Sequence, residues 1–91
     1  MSSISITRPH SLGLDAARRA VEQVGQDLAA EYGISHAWRG NTLDVKRSGM
    51  EGQLRVSDTD VRIELKLGFL LSAIKGSIEK AVHTELDKRL A

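Results

Sequence analysis

The side chains best suited to moving a proton near neutral pH are three histidines, His10, His36 and His83. None stands at a metal-ligand spacing from another and no second ligand type clusters with them, so no metal site is expected. The chain has no cysteine, which excludes disulfides, thiolate metal sites and cysteine nucleophiles. His10, Ser11 and Asp15 contain the residue types of a hydrolytic triad, but as close neighbours without a nucleophile elbow or an oxyanion loop. The glycine spacing fits neither a phosphate loop nor a dinucleotide fingerprint, so no cofactor is expected. The corner Arg8-Pro9-His10-Ser11 leaves two readings. Arg8, His10 and Ser11 could hold an anion at a helix N-terminus, or, the preferred reading, they fix a turn and cap the helix. His36 is either a tuned acid–base group or, by preference, a core-edge histidine with a backbone partner, and His83 is read as solvated. With no convergent catalytic set, the chain is expected not to be an enzyme.

The frame that carries these residues is small. Ninety-one residues suit one domain, residues 1–91, because a second core would not fit. Thirteen basic and twelve acidic side chains are interspersed, and no basic stripe of the kind that binds phosphate backbones is present, so no nucleic-acid partner is expected. The longest mainly apolar stretch, Leu65 to Ile74, is too short to span a bilayer, and Met1 to Thr7 lacks the pattern of a signal peptide. The expectation is a soluble, cytoplasmic protein. Tyr32, Trp38 and Phe69 are the only aromatics, so Leu, Ile, Val and Ala must make the core.

Periodicity places the elements. Ser3-Ile4-Ser5-Ile6-Thr7 alternates as a half-buried strand does, and Pro9 ends it. Ser11 is placed to cap a helix whose stripe runs Leu14, Ala17, Val21, Val24, Leu28 and Tyr32, with Glu22 on the polar side and Gly33 as terminator. Two-residue turns at Gly40-Asn41, Gly49-Met50 and Asp58-Thr59 predict a four-strand meander. They pair Trp38 with Leu43 and His36 with Val45, then Val45 with Leu54 and Leu43 with Val56, then Val56 with Val61 and Leu54 with Ile63. One face of this meander is apolar and the other polar, with Asp44 opposite Arg55 and Arg55 opposite Arg62. Glycines 40, 49 and 52 are assigned to turns. Leu70, Ile74, Ile78, Val82, Leu86 and Leu90 recur every four residues and predict one long C-terminal helix, within which Gly76 would mark close packing. The fold expected is therefore α+β: a five-stranded, mainly antiparallel sheet with two helices on one face, in the order β-α-β-β-β-β-α. The first strand pairs with the fifth, or lies parallel beside the second.

Two segments carry a family likeness: Arg8-Pro9-His10-Ser11-Leu12-Gly13-Leu14 with Ala17-Arg18, and Leu65-Lys66-Leu67-Gly68-Phe69-Leu70-Leu71 running into Ile78-Glu79. They resemble the small polyhydroxyalkanoic acid system proteins linked with bacterial polyester granules, and the likeness runs from about Ile4 to Leu86. The resemblance implies a bacterial cytoplasmic protein associated with storage-polyester metabolism, whose partner is the granule or a granule-associated protein. It brings no active-site pattern. In fold order alone the chain also resembles a miniature helix-grip protein, which implies an alternative: a carrier holding an acyl ligand between helix and sheet, lined by Trp38, Leu54, Ile63, Ile74 and Ile78. The leading expectation is a non-catalytic interaction protein that docks through the apolar start of the last helix, Phe69, Leu70 and Ala73. Phe69 also has the reading, preferred for that residue alone, that it closes the end of the core beneath the first helix. A homodimer through a sheet edge or the last helix is a further possibility.

Overall fold

The computed structural model describes residues 2–90. Its elements run β1 Ser2–Pro9, α1 Leu14–Tyr32, β2 Ser35–Arg39, β3 Thr42–Arg47, β4 Met50–Val56, β5 Asp60–Leu67, α2 Phe69–Ser72 and α3 Lys75–Arg89. The five strands form one open antiparallel sheet in the order β1-β5-β4-β3-β2. Of the two places open to the first strand, the chain takes the edge beside β5. There Ile4 faces Leu65 and Ile6 faces Ile63, so the alternation of β1 extends the apolar face of the meander.

That face packs against α1 and α3. Ala17, Val21, Val24 and Leu28 of α1 and Ile78, Val82 and Leu86 of α3 are buried in one cluster with Leu43, Leu54, Val61 and Ile63 of the sheet. The opposite face is wet and carries Thr42, Lys46, Glu51, Arg55, Arg62, Glu64 and Lys66. Gly33, at φ +68°, ends α1 in the left-handed conformation, and its N–H donates to the Ala29 carbonyl at 2.9 Å. Arg47 Nη1 donates to the Tyr32 carbonyl at 2.7 Å and satisfies a second terminal acceptor.

Several local expectations are corrected. The β3–β4 loop is Ser48-Gly49, one residue earlier than expected, so Leu43 faces Leu54 and Val45 faces Gly52. Gly49 has φ +83°, the left-handed geometry that the second loop position of such a turn requires. Asp44 therefore lies opposite Gln53 rather than Arg55, and it pairs with Arg39 at 3.0 Å. Gly52 belongs to no turn but to the middle of β4, where a Cβ would collide with the Glu64 carbonyl oxygen and lie 2.9 Å from Leu65 Cα. Gly76 stands in open space; the close helix–sheet approach is at Gly25 of α1, where a Cβ would lie 2.7 Å from Leu43 Cδ2.

The expected long C-terminal helix is broken. Gly68 continues the β4–β5 ladder by donating to the Gly49 carbonyl at 2.7 Å, and the chain then makes the single turn α2. Ser72 closes that turn twice on the Gly68 carbonyl, from N–H at 3.0 Å and Oγ at 2.9 Å. Ile74 leaves helical geometry at φ −115°, ψ 21° and becomes the N-cap of α3. A four-residue repeat survives such a break, which is why the spacing of Leu70, Ile74 and Ile78 does not reveal it. The break turns Leu70 and Ile74 out of the core, while Leu71 stays packed against it.

Candidate functional site

The most exposed large apolar side chains sit at that break. Phe69 is 89% and Leu70 82% exposed, Ile74 is 41% exposed, and Ala73 is exposed beside them. The three residues expected to form a docking surface, Phe69, Leu70 and Ala73, are all exposed near one another in sequence on and just after α2. Not one residue of α2 is buried. Beneath it the β3–β4 turn approaches closely, since a Cβ on Gly49 would meet Leu71 Cδ1 at 3.6 Å. Next to this turn lies an open hollow of about 350 Å³ lined by Lys46, Arg47, Ser48, Glu51, Lys66 and Gly68. Three cations and one carboxylate line this hollow, which ends at Gly68, the residue before α2, and Arg47 among them is held by the Tyr32 carbonyl.

A polar cluster that sequence reasoning missed lies at the other edge. Glu22 of α1, expected to face solvent, directs its carboxylate at β2. Trp38 Nε1 donates to Glu22 Oε1 at 2.8 Å, and the His36 ring nitrogen Nε2 lies 3.2 Å from Oε2. Gln26 adds a weak contact at 3.4 Å. The indole N–H is the largest cause holding the Glu22 carboxyl below the ordinary carboxylate range; burial opposes it, and Gln26 and His36 add to the lowering. Arg18 stacks over the Trp38 ring with Cζ 4.6 Å from the centroid, and its Nη2 donates to the Gly40 carbonyl at 3.3 Å. An ionised carboxylate between a histidine and a tryptophan can accept protons. The groups that surround it tie α1 to the sheet edge and offer no nucleophile. The available signal was the spacing: His36 and Trp38 share a face of β2 that meets α1, and each has an N–H that needs an acceptor.

The Arg8, His10 and Ser11 corner is dispersed. His10 Nδ1 accepts from the Leu12 N–H at 3.1 Å, and Nε2 donates to the Ser57 carbonyl at 2.9 Å, so both ring nitrogens are engaged in the neutral form. The His10 N–H donates to the Thr59 carbonyl. Gly13, not Ser11, is the N-cap of α1, and Ser11 is exposed. The Leu14 N–H instead donates to Asp58 Oδ1 at 3.1 Å, so a carboxylate from the β4–β5 turn occupies the place an anion would take. Arg8 points elsewhere, to Asp87 and to His83 Nδ1 at 3.1 Å, and anchors β1 to α3.

The residues expected to line an acyl site are also separated. Leu54, Ile63 and Ile78 are side chains of the packed core, Trp38 lies half-buried at the β2 edge, and Ile74 is on the surface. Among the described residues, no three His, Asp or Glu side chains are grouped to hold a metal ion, and no helix is long and apolar enough to cross a membrane.

Comparison with known proteins adds one result. The family model described as "Putative polyhydroxyalkanoic acid system protein" matches residues 4–90. The chain belongs to this family. The match spans β1 through α3 and therefore includes the corner, the Glu22 cluster and the exposed turn alike. No curated protein and no solved structure matches the chain.

Proposed function

We propose that this protein is a non-catalytic accessory protein of polyhydroxyalkanoate granules, cytoplasmic, and that it docks on the granule or its protein coat through α2. The observation that carries this reading is the exposure of Phe69 and Leu70 on a turn that meets the core only through the partly buried Leu71. A chain with three aromatics leaves one of them 89% exposed on this turn. Burying a Phe side chain contributes roughly 1.5–3 kcal/mol, so Phe69→Ser should weaken granule binding by about 10- to 150-fold. The test is co-sedimentation of purified protein with washed granules, bare and with their native coat. Binding to bare granules assigns the contact to the polyester, and binding only to coated granules assigns it to a protein of the coat. Absence of binding to both, or undiminished binding by a folded Phe69→Ser variant, refutes the reading.

A further inference from the structure

The free edge of β1 is built differently from that of β2. The His10 N–H donates to the Thr59 carbonyl, and in the β1–β5 register these residues face one another. Hydrogen-bonded pairs alternate along an antiparallel ladder, so Ile4, Ile6 and Arg8 also turn their backbones towards β5. Ser3, Ser5, Thr7 and Pro9 then turn theirs to the open side. Pro9 fits this phase, because its missing N–H falls where no ladder partner loses it.

Edge strands of soluble proteins are normally blunted by charge, shortness or cover. β2 has five residues, two of them His36 and Arg39, and Arg18 lies over its Trp38. β1 has eight residues, and no ionisable side chain occurs from Ser2 to Thr7. The segment Ser3-Ile4-Ser5-Ile6-Thr7 also reads nearly the same in both directions about Ser5. That symmetry is what an isologous two-fold contact demands.

We propose that β1 pairs antiparallel with β1 of a second copy, joining two five-stranded sheets into one. The two-fold axis passes between the two Ser5 residues, perpendicular to the sheet. Ser5 then faces Ser5 of the second copy, and Ser3 faces Thr7, in three hydrogen-bonded pairs that supply about six backbone hydrogen bonds. Ile4 faces Ile6 in the closer, non-hydrogen-bonded pairs, and the apolar layer beneath the helices becomes continuous. Hydroxyls meet hydroxyls on the wet face. This pairing does not depend on the granule reading.

The register makes the proposal testable in a chain without cysteine. Paired Ser5 Cα atoms would lie about 5.5 Å apart, whereas the two Ser3 residues, or the two Thr7 residues, would lie roughly 14 Å apart along the strands. Untagged protein should sediment at twice the chain mass. Ser5→Cys should be joined into covalent dimers by a short bifunctional thiol reagent at least tenfold faster than Ser3→Cys or Thr7→Cys. Ser5→Pro removes an outward N–H and leaves the ladder to β5 intact, so it should sediment as a folded monomer. A monomeric wild type at millimolar concentration, or equal cross-linking at the three positions, overturns the proposal. The cysteine series decides the matter even if Ser5→Pro does not fold.

Discussion

Adding one methyl group at Gly52 should do far more harm than adding one at Gly25. Both glycines are tightly enclosed, but by different atoms. At Gly52 the obstacle is the β5 backbone, namely the Glu64 carbonyl oxygen and Leu65 Cα. To restore ordinary contact β5 would have to retreat by about 1 Å. Overpacking of this kind costs about 1–3 kcal/mol, and weakening the two flanking ladder hydrogen bonds adds about 1 kcal/mol each. Replacing a strand glycine returns only about 0.5–1 kcal/mol. The net loss for Gly52→Ala is therefore about 3 kcal/mol, which lowers the melting temperature of a domain this size by roughly 12–24 °C. At Gly25 the nearest atom is Leu43 Cδ2, the end of a side chain that can rotate. Ala is favoured over Gly within a helix by about 1 kcal/mol, so Gly25→Ala should stay within about 1 kcal/mol of wild type. Urea unfolding followed by circular dichroism measures both. Equal losses at the two positions, or a neutral Gly52→Ala, would refute the reasoning.

Other substitutions test the surfaces and clusters. Phe69→Ser and Leu70→Ser should each change stability by less than about 0.5 kcal/mol, because both side chains are exposed; a larger loss in a thermal melt would show that α2 is packed. Glu22→Gln leaves Trp38 Nε1 or His36 Nε2 facing an amide donor, and should cost about 1 kcal/mol in urea unfolding. Because the fold lowers the Glu22 pKa, its contribution is full above the ordinary carboxylate value and is lost as pH falls through the lower folded value; the Gln variant should lack that acid loss. Glu85 behaves oppositely: the neighbouring Asp27, then burial, raise its pKa, so its contribution is full below the ordinary value and disappears as pH rises through the raised one. Glu85→Gln should therefore match or exceed wild-type stability at pH 7, and a lower urea midpoint there would sink this account.

Much of the architecture was legible because side-chain periods of two and about four are hard to mistake. A one-residue slip in the meander would have put Leu43, Val45 and Leu54 in water, so the faces were determined. A two-residue slip keeps every face, and the apolar pattern could not tell Ser48-Gly49 from Gly49-Met50. Only the observed pairing of Arg47 with Met50 and Leu43 with Leu54 separates them, since a glycine suits either loop position. The break at Ala73-Ile74 was hidden for a similar reason, since Ile74 stays in step with Leu70 and Ile78 on either side of it. Glu22 was assigned to solvent from helix periodicity alone. It sits at the margin of the buried face, and its partners arrive from another element, which one-dimensional spacing does not reveal. Phe69 was left over once the helix stripe was counted, but the preferred reading placed it at the end of the core, and the break after α2 is what leaves it 89% exposed.

The place of Trp38 has a practical consequence. It is the only tryptophan, and it lies on β2, three strands removed from β5 and four from β1 in the sheet. Its emission is set locally, by the guanidinium stacked on the ring and the carboxylate at Nε1. Fluorescence should thus follow unfolding of the α1–β2 edge and stay constant when a partner covers α2 or a second copy joins at β1. A signal that moved on either event would mean that the sheet transmits a change across its full width. A silent one makes this tryptophan a built-in monitor of folding that binding does not disturb.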